Sequence, residues 1–344
     1  MRKVNVVVVG ATGVVGQVFL RIAEERRFPV DRLRLSASPH SIGKRLLFNG
    51  DEVEVEESSP DIFRDADFVF ISASGAVSRQ LAPLAVEAGA VVIDDSSAFR
   101  MDPQVPLVVP EINGDDLVGH KGLTSIPNCS TTPMVMALHP LHRVNPVKRI
   151  IADTYQSVSG TGGGAMAELR EQSRALLETG ESPPPEVYPH RIAFNVLPQV
   201  EHFLENGYTN EERKMAEETR KIMHAPEIAV SATCVRVPVY VSHSVAIHVE
   251  FERPMSPAEA RELLAAFPGV TVIDDPEASQ YPLPLDAEGK DDVFVGRIRT
   301  DTSNPNGLAM WAVSDNLRKG AALNAIQIAE EILSRDLLPS RKVG

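Results

Sequence analysis

Val4-Asn5-Val6-Val7-Val8-Val9-Gly10-Ala11-Thr12-Gly13-Val14-Val15-Gly16 carries the reading of the fold. The run from Val4 to Val9 is β-branched almost throughout, the pattern of a strand buried on both faces of a parallel sheet. Glycines 10, 13 and 16 follow, and a helical pattern runs from about residue 14 to 25. A strand, a glycine-rich turn and a helix N-terminus let the backbone approach a pyrophosphate and aim N–H groups at it. The spacing is G-x-x-G-x-x-G, and a tight turn needs glycine even without a ligand. Alternation downstream decides the matter. Strands are predicted at 33–37, 67–72 and 91–95, separated by helical stretches that include 77–87, which specifies a doubly wound sheet and dinucleotide binding.

The second predicted strand runs out through Ser36-Ala37-Ser38-Pro39-His40-Ser41-Ile42-Gly43-Lys44-Arg45, where an acid would accept the ribose hydroxyl of NAD. No acid is present. Hydroxyls and cations there suit a 2′-phosphate, so NADP is expected. After the strand at 91–95, Arg100 is placed to meet an anion, or to pair with Asp102 or Glu111. Residues 105–113 read as a proline-punctuated extended segment.

Ser125-Ile126-Pro127-Asn128-Cys129-Ser130-Thr131-Thr132-Pro133 then puts a cysteine just before a helix. Helix N-termini favour a thiolate, and Asn128 with nearby main-chain N–H groups could donate to a developing oxyanion. Taken alone, Cys129 reads equally as an inert buried thiol. The chain also holds a strand at 149–158 that ends in a glycine-rich turn, a helix at 210–223 with Glu211 and Lys214 on one face, and a strand at 229–237 carrying Arg236 among valines. Ser242-His243-Ser244 opens the alternating strand at 245–252. Straight β geometry would separate Arg236 from His243 by about 23 Å, so Pro238 and Ser242 must bend the chain if both serve one site. Strands at 293–300 and 308–313 and a final helix at 321–333 complete the reading.

The chain has 344 residues, enough for two domains, and is 43% hydrophobic and 24% charged, as soluble globular chains are. With 34 basic and 47 acidic residues and no basic block, nucleic acid is excluded as a partner. Two distant cysteines match no metal spacing and suit a reducing, cytoplasmic compartment. The glycines at 10, 13 and 16 interrupt the apolar start and argue against a secretory signal, and no segment is apolar enough to cross a membrane.

A dinucleotide fold, a cysteine at a helix start, a histidine and several cations suggest one reaction class. The thiolate attacks an acyl phosphate, hydride reduces the thioester, and histidine moves protons.

These motifs, with Gln156 to Gly160 and Asp315-Asn316, resemble those of the aspartate-β-semialdehyde dehydrogenase family from the first strand to the last helix. The resemblance implies an N-terminal Rossmann-type doubly wound sheet (1–128 plus 316–344) and a catalytic and dimerisation domain with a mostly antiparallel mixed sheet (129–315). It implies Cys129 as nucleophile, His243 as acid/base, and Asn128 and Gln156 orienting the reacting centre. Arg236 would clamp the substrate carboxylate, Glu211 would read its ammonium, and Arg100 and Lys214 would hold phosphate. Gly10, Thr12, Gly13, Val14, Val15, His40, Ser41, Ser159, Gly160 and Asn316 would contact NADP, and no metal is implied. The substrate would be L-aspartyl 4-phosphate, reduced to the semialdehyde by a homodimer on the route to lysine, methionine, threonine and diaminopimelate. His40 stands where the family often carries Arg. Rival readings are N-acetyl-γ-glutamyl-phosphate reductase, whose substrate amine is acylated, glyceraldehyde-phosphate dehydrogenase, which would leave Arg236 without a carboxylate, and a non-catalytic dinucleotide sensor, which needs neither Cys129 nor His243.

Overall fold

The valine run at the start of the chain forms β1 (Val4–Val9), buried along nearly its whole length because strands pair on both sides of it. In this computed structural model, which describes residues 2–339, the chain divides into two units. One comprises Met1–Pro127 and Ala321–Gly344, the other Asn128–Gly320.

In the first unit β1 is followed by α1 (Val14–Glu25), β2 (Val30–Ala37), β3 (Arg45–Phe48), β4 (Asp51–Glu57), β5 (Phe68–Ile71), α2 (Gly75–Glu87), β6 (Val91–Asp94), α3 (Pro110–Asn113) and β7 (Leu123–Ser125). The sheet order is β3-β4-β2-β1-β5-β6-β7. All pairings are parallel except β3 with β4, as expected when helices cross over between strands. The helix Leu323–Ser334 returns to this unit and packs against α1 and β6.

The turn after β1 depends on glycine. Gly10 has φ +83°, and a Cβ there would lie 2.0 Å from the Ser72 carbonyl oxygen. A Cβ on Gly16 would lie 2.4 Å from the Gly10 carbonyl oxygen, so α1 approaches the turn closely. The strands and helices expected here are present, but the β3–β4 hairpin was not anticipated. Its turn is Asn49-Gly50, both at positive φ, a sequence signal for a two-residue hairpin. Only part of 105–113 is extended: Leu107 bridges to Ser125, whereas Pro110–Asn113 is a helical turn. Proline fits the first helical position, and Asn113 Oδ1 accepts the Val109 N–H at 2.9 Å.

The second unit contains α4 (Thr131–His142), β8 (Val147–Gln156), α5 (Gly163–Thr179), α6 (Asn210–Ile222), β9 (Ala229–Arg236), β10 (His243–Phe251), α7 (Pro257–Ala265), β11 (Val270–Val272), β12 (Val293–Thr300) and β13 (Gly307–Ser314). Its sheet runs β11-β12-β13-β10-β8-β9. The pairings of β10 with β8 and β13 and of β12 with β13 are antiparallel, and those of β8 with β9 and β11 with β12 are parallel. The sheet is therefore mixed. α5, α7 and β11 were not anticipated, because the glycine run at 160–164 reads as a loop when in fact Gly162, at φ +99°, launches α5.

This topology gathers chain ends. Gln156 and Arg236 are register partners at the carboxyl ends of β8 and β9, and His243 begins antiparallel β10 opposite Ser314, the last residue of β13. All four positions therefore fall at one end of the sheet. The bend expected between Arg236 and His243 is made at Ser242, whose φ is +74°.

Candidate active site

Cys129 lies two residues before α4, a helix buried on nearly every side against α6, α7 and β13. Asn128 organises this start. Its Oδ1 accepts the N–H groups of Ser130 at 2.8 Å and Thr131 at 3.2 Å, and its carbonyl accepts that of Thr132 at 3.0 Å. Its own N–H donates to Glu218 at 2.6 Å, and its Nδ2 donates to Glu211 at 2.7 Å. The amide that the sequence offered as an oxyanion donor is thus engaged at both ends, orienting the residue beside the sulfur. Gly320 lies against the other side, where a Cβ would fall 3.0 Å from Cys129 Cβ.

Glu211 and Glu218 are seven apart on α6, two helical turns, and both are buried. Glu211 also accepts from Gln156 Nε2 at 3.3 Å and from Lys214 Nζ at 3.3 Å. A solvated ion pair is not what forms here: the side chains of Glu211 and Lys214 are 5% and 12% exposed. Glu218 escaped the sequence reading, although its place on the stripe with Met215 and Ile222 was a signal.

Arg236 is buried at the end of β9, where its backbone exchanges hydrogen bonds with Leu197 at 2.8 and 2.9 Å. Its Nη1 donates to the Ser157 carbonyl at 2.6 Å, its Cζ lies 5.9 Å from the centroid of the Tyr188 ring, and its Nε has no hydrogen-bond partner. His243 is fully buried. Its Nδ1 accepts the Ser157 N–H at 3.1 Å, and its Nε2 has no partner. Desolvation, reinforced by the Arg236 charge, lowers its pKa to about 3. Unpartnered buried polar atoms mark places where a ligand's polar groups would be bound.

Ser159 and Asn316 are buried and hydrogen-bonded to each other at 3.0 Å. Gly160 passes close to both side chains: a Cβ on it would lie 3.1 Å from His243 Nε2 and 3.2 Å from Arg236 Nη1. Cys129, Asn128, Gln156, Ser159, Gly160, Glu211, Lys214, Arg236, His243 and Asn316 all belong to the second unit. Ser157, which touches both His243 and Arg236, was missed because nothing in a lone serine after a strand distinguishes it.

The remaining residues belong to the first unit. Thr12 Oγ1 donates to Ser41 Oγ at 3.2 Å, and Lys44 Nζ lies 3.3 Å from the same oxygen, so a cation absent from the sequence-based set joins the glycine turn. Val14 and Val15 open α1, whose first turn carries no acid, and His40 is exposed. A turn that excludes Cβ atoms and a helix start free of acids fit a dinucleotide pyrophosphate. Asp94, buried at the end of β6, accepts from Ser78 and Ser96 and folds the following loop. There Arg100, also buried, donates to the Asp95 carbonyl at 2.8 Å. Burial pushes the Asp95 carboxyl up to about 6 against the pull of Arg100.

Among the described residues no group of three or more His, Cys, Asp or Glu side chains is arranged to hold a metal ion. No helix among them is long and apolar enough to cross a membrane.

The Gly160 contacts are testable. A methyl at Gly160 would displace the buried His243 and Arg236 side chains, so Gly160→Ala should lower kcat/KM by ~10- to 10²-fold. Wild-type kinetics would show that the approach is not needed.

Comparison with known proteins identifies the family. Residues 5–120 match the model of the semialdehyde dehydrogenase NAD binding domain, and 138–319 that of the semialdehyde dehydrogenase dimerisation domain. The chain is 52% identical over 337 residues to the aspartate-semialdehyde dehydrogenase of Aquifex aeolicus, covering 97% of this chain and 99% of that protein. It is 48% identical to that of Bacillus subtilis, covering 98% and 99%. Among solved structures, aspartate semialdehyde dehydrogenase II from Vibrio cholerae complexed with ASA has a TM-score of 0.94 at 42% identity, over 97% of this chain and 99% of that one. The enzyme from Candida albicans with NADP has a TM-score of 0.77 at 26% identity, over 98% and 100%. At such identity over nearly the whole length, the chain belongs to the aspartate-semialdehyde dehydrogenase family.

Proposed function

We propose that the chain reduces L-aspartyl 4-phosphate to L-aspartate 4-semialdehyde, releasing phosphate, through a thioester on Cys129. The observation that carries this reading is the hydrogen-bonded chain that ties the nucleophile to the recognition groups: Asn128, next to Cys129, donates to Glu211, which accepts from Gln156, the register partner of Arg236.

Each residue then has a task. Cys129 stands at the positive end of α4, where a negative sulfur is favoured, and attacks the acyl carbon. The unpartnered edge of Arg236 takes the substrate α-carboxylate, and Glu211 takes the α-ammonium. Gln156 positions the acyl end, and Asn128 keeps the sulfur in place. Arg100 and Lys214 hold phosphate, and His243 acts on the carbonyl oxygen through Nε2. NADPH supplies the hydride. Gly10, Thr12, Gly13, Val14 and Val15 hold its pyrophosphate, and Ser41 its 2′-phosphate, with Lys44 supplying the charge that exposed His40 gives only weakly. Ser159, Gly160 and Asn316 serve the cofactor as well as His243. The enzyme is a cytoplasmic homodimer in amino-acid biosynthesis.

The buried carboxylate of Glu211 favours this substrate over an N-acetylated one, because a free ammonium adds a charged donor to it and an acylated amine does not. In the reverse assay, phosphate-dependent NADP reduction should proceed with aspartate semialdehyde and not with N-acetylglutamate semialdehyde. Cys129→Ser should abolish it while NADPH binding persists. Turnover by that variant, or preference for the acetylated substrate, would remove the proposal.

Lys44→Gln should raise KM for NADPH ~10-fold with little change for NADH, since one charge pair to the 2′-phosphate is lost. An unchanged ratio between the cofactors would place 2′-phosphate recognition elsewhere.

A further inference from the structure

Arg236 is a buried cation without a counter-ion: among the described residues no carboxylate pairs with it, whereas Lys214 meets both Glu201 and Glu211. Its Nη1 is tied to the Ser157 carbonyl at 2.6 Å, and its Nε has no partner. The edge that Nε shares with Nη2 is therefore open, and that edge matches the two oxygens of a carboxylate. A guanidinium taken out of water still needs a compensating interaction.

Tyr188 supplies one. Arg236 Cζ lies over its ring, 5.9 Å from the centroid. The face of an aromatic ring is its negative side, so it attracts the cation from above the guanidinium plane and accepts none of the N–H bonds within that plane. A carboxylate in the same role would neutralise Arg236 and compete for its open edge.

The ring is held in place although Tyr188 lies in a stretch with neither helix nor strand. That stretch is fastened to α5 on both sides of Tyr188. Glu168 Oε2 accepts the main-chain N–H groups of Glu186 at 2.8 Å and Val187 at 2.5 Å. Gln172, one turn further along and fully buried, accepts those of Ile192 at 3.0 Å and Ala193 at 3.2 Å through its Oε1. Gln172 Nε2 in turn donates to Glu168 Oε1 at 3.2 Å, as residues four apart on one helix face can. Pro189 disfavours a helical backbone at Tyr188. The ring packs on the core cluster that includes Val158, Ala165 and Leu169, and its hydroxyl donates to Thr161 Oγ1 at 3.0 Å. Burial raises the phenol pKa against the pull of Arg236, which keeps that hydroxyl a donor.

We propose that Tyr188 is a positioning residue for substrate recognition: its ring face stands in for the counter-ion of Arg236 and leaves the Nε–Nη2 edge open for the substrate α-carboxylate. This deepens the reading of Arg236 as the carboxylate clamp, and rests on it.

The test places phenylalanine and its mono-, di- and trifluorinated analogues at position 188 of the full-length enzyme and follows the reverse reaction with aspartate semialdehyde, NADP and phosphate. Tyr188→Phe keeps the ring and should leave KM for the semialdehyde within ~2-fold of wild type. Each fluorine withdraws charge from the ring face at nearly constant shape, so that KM should climb stepwise to ~10-fold in the trifluoro variant, with kcat and KM for phosphate unchanged. A ring that only fills space would show no dependence on fluorine, and that result overturns the proposal. So does a parallel rise in KM for phosphate, or a Tyr188→Phe enzyme as impaired as the trifluoro variant. Arg236→Lys, measured beside the series, separates the two readings. A wild-type KM for the semialdehyde in Arg236→Lys removes the clamp itself, whereas a raised KM there with a flat fluorine series removes the role of Tyr188 alone.

Discussion

The placement of Cys129 depends on the side chain beside it. Asn128 sits in a dry environment with two carboxylates, Glu211 and Glu218, and supplies a donor to each. Burying an unpaired carboxylate is prohibitive, and leaving even a neutral buried polar group unmatched costs about 1–3 kcal/mol. The contacts therefore define a single arrangement: with its amide oxygen spent on the first turn of α4 and its donors spent on α6, Asn128 holds the adjacent Cys129 in one place. A loop held only by its own backbone would leave the sulfur free to wander by more than thioester chemistry tolerates.

Gln156, Arg236 and His243 reach one end of the sheet because of strand direction. Parallel pairing of β8 with β9 aligns Gln156 with Arg236, and antiparallel pairing of β10 brings His243 to the same end of the sheet. Two cationic groups close together in a water-poor site repel, and arginine does not give up its proton. Histidine yields: burial and the Arg236 charge lower its pKa, which leaves it neutral at physiological pH.

Much of this was legible in the residues. The valine run, the glycine turn and the alternation behind them specified the doubly wound sheet, because β-branched runs and tight turns carry strong local preferences. The cysteine before α4 and the residues that resemble the family's motifs gave the candidate site. Contacts set by tertiary structure were not legible. Ser157 meets His243 only when β10 folds back along β8. The bend required between Arg236 and His243 was foreseen at Pro238 or Ser242, and it is Ser242, at positive φ, that redirects the chain. The Asn49-Gly50 hairpin, by contrast, was written in the sequence and overlooked.

The central claim is covalent: the acyl group passes through the sulfur of Cys129. Intact-protein and peptide mass spectrometry of the enzyme mixed with aspartyl phosphate, with no NADPH present, tests it most directly. The account predicts one aspartyl group per chain, on Cys129, removed by hydroxylamine or by adding NADPH. Protein that stays unmodified while still turning over when NADPH is supplied, or an adduct on any other residue, would contradict it.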